Sequence, residues 1–389
     1  MKVPLLDLKV QYQSLKKELD GAVLKVAESQ HFILGPEVEK MEENFCEFLG
    51  CKYSIGVSSG TDALLLALMA IDLKPKEEVI VPTYSFFATA GVVSRLNATL
   101  VFVDCDPVTF NIKPDEIEKK ITAKTRAIIP VHLYGQSADM DPIMEIARRK
   151  KIFVIEDGAQ AISSQYKNGR YVGTIGDIGC YSFFPSKNLG CYGDGGLVVT
   201  NNEAIAHMMR IKRVHGGEQK YFHKVIGGNF RLDALQAAVI NVKLPYLEFW
   251  SERRRKNAEQ YSRLFHDAGL SEEPGMINFD DNNKVLLPKA IYKEVTGLKN
   301  YHIYNQYIIR VEKRDELRQY LTDNSIGTEI YYPVPFHLQE CFKNLGYMKG
   351  NFPNSERAGE TTLALPIYPE LSDKQLSYVV DKIKEFIKG

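Results

Sequence analysis

Between Ser54 and Asp157 short β-rich runs alternate with stretches of helical periodicity, and no other feature of this chain narrows its possible folds as much. Runs at Glu78–Val81, Thr99–Val103, Ala127–Val131 and Ile152–Ile155 are separated by helical segments at Thr61–Ile71, Tyr84–Arg95 and Met140–Lys150. Parallel strands need crossovers long enough to hold a helix, so this order predicts an α/β domain on a mostly parallel sheet. Such sheets take ligands at the carboxyl ends of their strands. No repeat of fixed period or low-complexity tract breaks the pattern, which excludes a solenoid.

Past Arg231 the character changes. Long helices are expected at Leu232–Val242 and Leu247–Phe265, divided at Pro245, and then shorter mixed elements: a strand at Tyr304–Val311, a helix at Arg314–Asn324, a loop at Pro333–Pro335 and a last helix at Asp373–Ile387. A chain of 389 residues exceeds the size at which one core stops growing. The expectation is a large domain over residues 1–250 and a smaller C-terminal α+β domain over 251–389. The Lys- and Asn-containing stretch 275–300 is read as exposed.

Lys+Arg and Asp+Glu balance at 49 each, so no overall field draws the chain to nucleic acid or to anionic lipid. The longest apolar run, Ala63–Ile71, is too short to span a bilayer, and charge comes too early for a secretory signal. A cytoplasmic protein is the expectation. Cysteines 46, 51, 105, 180, 191 and 341 form no C-x-x-C pair and are read as reduced, mostly buried thiols, with no metal site.

Three segments carry chemistry. Ser58-Ser59-Gly60-Thr61-Asp62 joins an apolar run to a helix, where free amides and the helix dipole can receive a phosphate, although the same residues also make an ordinary N-cap. Lys151–Asp157 reads as a buried strand that delivers Glu156 and Asp157 at its end, followed by Gly158-Ala159-Gln160. A carboxylate there can keep a pyridine ring protonated, or simply cap a helix. In Cys180-Tyr181-Ser182-Phe183-Phe184-Pro185-Ser186-Lys187-Asn188 one lysine sits among small and aromatic residues. Partial burial would lower its pKa, as a Schiff-base lysine requires, and Ser182 can add a hydroxyl to a phosphate. A helix-start phosphate cup, a strand-end Asp and a desolvated Lys together fit pyridoxal 5'-phosphate (PLP), whose protonated ring is an electron sink.

These segments and others make the chain resemble the DegT-type sugar aminotransferases, a branch of the fold-type I PLP enzymes. The matches run along almost the whole chain: Phe32-Ile33-Leu34-Gly35-Pro36, Ser59-Gly60-Thr61-Asp62-Ala63-Leu64, Val81-Pro82-Thr83-Tyr84-Ser85-Phe86, Val131-His132-Leu133-Tyr134-Gly135, Glu156-Asp157-Gly158-Ala159-Gln160, Ser182–Lys187, Gly228-Asn229-Phe230-Arg231 and Tyr332-Pro333-Val334-Pro335-Phe336-His337. The resemblance implies an aspartate-aminotransferase-like fold, with Lys187 holding PLP as a Schiff base and Asp157 paired with the ring nitrogen. It further implies Gln160 by the phenolic oxygen, Phe86 stacked on the ring face, and the phosphate held by the Gly60 and Thr61 backbone and the Ser182 hydroxyl. Asn229 is implied to reach in from a second subunit, which makes a homodimer part of the site. A dehydratase branch replaces the lysine with His; Lys187 favours transamination.

The resemblance also implies L-glutamate as amino donor and a nucleotide-linked keto sugar as acceptor. The stretch around Lys187 looks most like members that aminate C3, which points to a UDP-linked 2-acetamido-3-keto sugar for lipopolysaccharide, or second to a dTDP-3-keto-6-deoxyhexose. Arg213, Tyr304, Tyr332 and His337 are candidates for the sugar diphosphate, each equally explained as an exposed Arg or a packed ring. Two other classes stay open: a PLP lyase using Cys341, which reads more simply as a core residue of an amphipathic helix, and a PLP-binding regulator, for which no DNA-binding addition is visible.

Overall fold

A computed structural model describes residues 1–271 and 285–389. Its centre is a seven-stranded sheet built from β1 (Tyr53–Val57), β2 (Glu78–Pro82), β3 (Thr99–Val103), β4 (Thr125–Ile128), β5 (Phe153–Asp157), β6 (Ile178–Ser182) and β7 (Gly196–Thr200). The spatial order is β1-β7-β6-β5-β4-β2-β3. β6-β5-β4-β2-β3 pair in parallel, and β7 runs antiparallel to both of its neighbours. β7 is buried at every residue and β1, β2, β5 and β6 at all but one, as a sheet covered by helices on both faces demands.

The covering helices are α1 (Leu8–Ser29), α2 (Pro36–Leu49), α3 (Gly60–Ala70), α4 (Ala88–Arg95), α5 (Pro114–Lys120), α6 (Met140–Lys150), α7 (Glu203–Arg213) and α8 (Ala234–Lys243). α3 is apolar on nearly every side because it packs against the sheet, α4 and α7, so that Leu64, Leu65, Leu66 and Leu68 are all buried. On the opposite face Leu15, Leu19, Met41 and Phe45 from α1 and α2 meet Leu197, Val199 and the α8 residues Ala237 and Ile240.

A second core lies in the C-terminal part. α9 (Leu247–Asp267) packs against α12 (Asp373–Lys388), and both cover the two-stranded antiparallel sheet of β8 (Tyr307–Arg310) and β9 (Thr362–Leu365), with α10 (Arg314–Asp323) and α11 (Pro353–Thr361) beside it. Tyr261, Phe265, Leu317, Val379 and Ile383 fill it, and so does Val3 from the other end of the chain, which bridges to Ile326.

Several expectations need correction. The helix expected from Tyr84 begins at Ala88, since Thr83–Phe87 form the loop that meets the cavity described below. Of the stretch read as exposed, residues 275–284 lie outside the described residues, but Val285, Leu286 and Leu287 are buried against the C-terminal core. Cys341 is exposed in a short 3-10 turn, Glu340–Leu345, not in a packed helix. Among the other cysteines Cys51, Cys105, Cys180 and Cys191 are buried and Cys46 is half-buried, all as free thiols. No helix among the described residues is long and apolar enough to cross a membrane.

Candidate active site

At the carboxyl ends of β5 and β6 the structure encloses a cavity of about 420 Å³. It is lined by Gly60, Thr61, Phe86, Asp157, Gln160, Ser182, Lys187 and Tyr332 among others. Seven of these eight end sheet strands or lie in the loops or helix starts that follow them, because such strands direct their carboxyl-end connections to one edge, and Tyr332 is brought there from the C-terminal part.

One wall is the start of α3. Ser59 caps the helix, its Oγ accepting from the Asp62 amide at 3.0 Å while its carbonyl accepts from Ala63 at 2.9 Å. The earlier amides, of Gly60 and Thr61, are the orphan donors of the first turn, at the positive end of the helix dipole. Ser182, the last residue of β6, lies directly against Gly60: a Cβ at position 60 would stand 2.6 Å from the Ser182 Cβ and 3.1 Å from its Oγ. Only glycine lets strand end and helix start close into one cup of two amides and a hydroxyl.

Asp157 ends β5, where the strand carries it into a buried setting. Its Oδ2 accepts from Thr89 Oγ1 at 2.8 Å and its Oδ1 from the Ala159 amide at 3.1 Å. Burial raises its pKa, against which the Thr89 hydroxyl, the Ala159 amide and the charge of Lys187 act. Thr89 is a neighbour of Asp157 that sequence reasoning missed; its position in α4, four residues after Ser85 to which it is also bonded, gave no polar motif to notice. Beneath the strand end, Glu156 is fully buried and accepts from the amides of Gly173, Ile175 and Gly176 and from His132 Nε2 at 2.9 Å. His132 Nδ1 accepts from the Ala138 amide, which assigns the proton to Nε2. This network fixes the strand end from below.

Lys187 lies in the loop after β6, and burial pushes its amine down to about 8, with Asp157 opposing the shift. Gln160 is held at both ends of its amide: Oε1 accepts from the Tyr134 backbone at 2.7 Å and Nε2 donates to the Tyr332 hydroxyl at 2.8 Å. The Tyr332 backbone amide is in turn bonded to the Tyr84 hydroxyl at 2.8 Å. Of the two adjacent phenylalanines, Phe86 lines the cavity with its ring 6.1 Å from that of Tyr332, whereas Phe87 stacks on Phe342 at 5.6 Å.

The remaining candidates are placed elsewhere. Arg213 is not exposed: it forms a buried ion pair with Glu42 and donates to the Gly56 carbonyl at 3.1 Å, tying α7 to α2 and β1. Tyr304 is packed in the C-terminal core with its ring 3.9 Å from His302. His337 is buried between Thr83 Oγ1 at 3.0 Å and Glu356 at 2.9 Å. None of the three lines the cavity, so Tyr332 alone of the four diphosphate candidates does. Asn229 is exposed and outside its own chain's cavity. Ser85, Asp194, Gln306 and Tyr331 line the cavity without having been singled out in the sequence. Among the described residues no cluster of His, Cys, Asp and Glu could hold a metal ion.

Residues 13–384 match the model of the DegT/DnrJ/EryC1/StrS aminotransferase family. A pleiotropic regulatory protein of Geobacillus stearothermophilus is 48% identical over 100% of this chain and 99% of its own length. The dTDP-3-amino-3,4,6-trideoxy-alpha-D-glucose transaminase of Streptomyces venezuelae is 39% identical, covering 99% and 96%. The UDP-N-acetyl-3-dehydro-alpha-D-glucosamine 3-aminotransferase of Acidithiobacillus ferrooxidans is also 39% identical, covering 100% and 98%. The crystal structure of S. venezuelae DesV in complex with a ketimine intermediate superposes with a TM-score of 0.91, at 38% identity, over 100% of this chain and 99% of that one.

Proposed function

The chain belongs to the DegT/DnrJ/EryC1/StrS aminotransferase family, and from that premise we propose that it moves an amino group from L-glutamate to C3 of a nucleotide-linked keto sugar. It is a PLP-dependent sugar aminotransferase with a fold-type I architecture. The finer reading concerns the donor, the carbon aminated, the nucleotide and the residues that do the work.

The residues present fit the cofactor. The Gly60–Ser182 contact shapes an anion cup that an added Cβ would fill, and Lys187 and Asp157 occupy the same cavity. In this reading Gly60, Thr61 and Ser182 hold the phosphate, Asp157 faces the ring nitrogen, Gln160 the phenolic oxygen and Phe86 the ring face. When bound, PLP supplies an electron sink conjugated to the amine that is being exchanged. The chain supplies the proton chemistry. An amine brought down to about 8 is partly neutral near physiological pH, so Lys187 Nζ can take a proton from the donor carbon and return it. Asp157, anchored by Thr89 and the Ala159 amide, keeps a negative charge where a cationic ring nitrogen needs one. Tyr332 and Gln160 orient one another at the opening.

The juxtaposition of Lys187 and Asp157 in one cavity with the Gly60–Ser182 cup carries this reading. For the acceptor, our first choice is a UDP-linked 2-acetamido-3-keto hexose used in lipopolysaccharide, the chemistry named for the Acidithiobacillus relative. The second is a dTDP-3-keto-6-deoxyhexose, related to the sugar named for the Streptomyces relative. A homodimer in the cytoplasm is part of the proposal: Asn229 is exposed, as are Phe86 and Phe184 at the cavity, and a second copy would cover them. The name of the Geobacillus relative favours a regulatory role as a second reading; a PLP-binding regulator would hold the cofactor with the same residues, and turnover in the product assay separates the two. Mass spectrometry of products from glutamate and a panel of UDP- and dTDP-linked 3-keto and 4-keto sugars tests the proposal. Amination of a 3-keto sugar is expected, and turnover confined to 4-keto sugars overturns the C3 assignment.

A further inference from the structure

Arg254, in the first half of α9, is only 3% exposed. Its Nη1 donates to the carbonyls of Tyr304, Asn305 and Ile367 at 3.0, 3.5 and 2.9 Å. Its Nε is buried without a hydrogen-bond partner among the described residues. Among those residues it forms no ion pair, and Glu370 is the carboxylate whose charge reaches it. Burial pushes its pKa down to about 10. A guanidinium withdrawn from water and surrounded by carbonyl dipoles lacks a counter-ion, and buried charges are ordinarily paired.

The arginine lines a small cavity of about 60 Å³ together with Ser186, Asn305, Gln306 and Tyr331. Ser186, Gln306 and Tyr331 also line the larger cavity, and Ser186 is the chain neighbour of Lys187. The side-chain NH2 groups of Asn305 and Gln306 make no hydrogen bond among the described residues and so have donors to give, while their oxygens, buried without a partner, are acceptors and take no part in holding an anion. A water's share of liquid volume is about 30 Å³, so the space suits a carboxylate or one or two waters and excludes a sugar ring. Beside the apolar Leu5, Leu6, Ala364 and Leu365, its walls offer one cation and two amide NH2 groups to a small anion next to the reacting lysine.

We propose that Arg254, with the Asn305 and Gln306 amides, binds the distal carboxylate of the amino donor and so selects a dicarboxylic amino acid. This rests on the reading of glutamate as donor. The donor's amine must meet the reacting centre at Lys187, which keeps a carboxylate on the same carbon within the larger cavity. A carboxylate at the end of the side chain is the one that extends into the smaller cavity.

The test is the first half-reaction of the PLP-loaded enzyme, followed as loss of the cofactor's visible absorption, with glutamate and with alanine, which lacks the distal carboxylate. Arg254→Gln is expected to raise the concentration of glutamate needed for half-maximal rate about 10- to 100-fold, the worth of a hydrogen bond to a charged group. The alanine reaction should change by less than about threefold, and Arg254→Lys, which keeps the charge, should fall between wild type and Arg254→Gln for glutamate. An arginine that only ties α9 to the Tyr304–Asn305 loop would impair both donors alike, and that result overturns the proposal. So does an Arg254→Gln enzyme with unimpaired glutamate use. An arm that needs no variant compares glutarate and butyrate as competitors of glutamate in wild type: stronger competition by glutarate is expected, and equal competition overturns the proposal. A wild-type holoenzyme that takes an amine from alanine but not from glutamate overturns the donor reading itself, together with this inference.

Discussion

Gly60 and Ser182 are so close that a methyl group on Gly60 would stand 2.6 Å from the Ser182 Cβ. One residue opens α3 and the other ends β6, and their contact is where the sheet and its covering helix converge on one wall of the cavity.

Gly60→Ala must therefore push Ser182 away or shift the start of α3. Overpacking of this kind costs about 1–3 kcal/mol. The expected result is a PLP dissociation constant raised about tenfold or more, since the displaced hydroxyl is one we propose as a charge-assisted contact to the phosphate. Equilibrium titration of the apo-protein with PLP measures it.

Lys187 makes the apo-protein's stability depend on pH in a direction that can be worked out. Its folded pKa of about 8 lies below the ordinary 10.5. Between those values the unfolded chain binds more protons than the folded one, so stability rises with pH across the window. Below pH 8 both states carry the proton and the cost of burying it is fully present. Apo Lys187→Met should then be the more stable protein at pH 7, by up to about 3 kcal/mol, with the difference shrinking from pH 8 toward pH 10.5. Urea unfolding of both apo-proteins at several pH values checks this.

Thr89 should act through Asp157. Burial raises the Asp157 pKa and the Thr89 hydroxyl is the first of the groups that hold it down. Thr89→Val removes that hydroxyl without changing the shape of the side chain. Asp157 then takes up its proton at higher pH, and the acid limb of the rate profile moves upward. Activity should fall about tenfold at the acid end and change little on the alkaline side. An equal loss at every pH would show that Thr89 only packs.

Arg213 separates stability from binding. It pairs with Glu42 in a buried ion pair, and removing one partner leaves the other charge uncompensated. Arg213→Met should destabilise the protein by about 3–5 kcal/mol, read by chemical denaturation, while the sugar KM of the folded fraction stays unchanged.

The parts of the site that were legible in the sequence are those set by local chemistry. Lys187 among small and aromatic residues, Asp157 at the end of an apolar strand and Gly60-Thr61 at a helix start all announce themselves within a few residues, and the strand-helix alternation gives the sheet that unites them. What was not legible depends on partners distant in the chain. Arg213 looks solvent-exposed in Arg-Val-His-Gly-Gly because nothing nearby reveals Glu42, and His337 looks available because Thr83 and Glu356 are brought to it only by the fold. α1 and α2 escaped notice for a related reason. α1 buries only Leu15, Leu19 and Val26 over its 22 residues, and their value as a core face appears once α8 lies against them. The loop Thr83–Phe87 passed for helix because its apolar residues serve the cavity and the packing of Phe342, not a helical face.

The central claim is that Lys187 joins PLP and exchanges an amino group through it. The most direct measurement is the visible absorption spectrum of the PLP-loaded enzyme, before and after addition of glutamate, in wild type and in Lys187→Ala. The lysine-linked band is expected in wild type, lost when glutamate is added and restored by a nucleotide-linked 3-keto sugar, and absent from the variant. An identical band in Lys187→Ala would contradict the account.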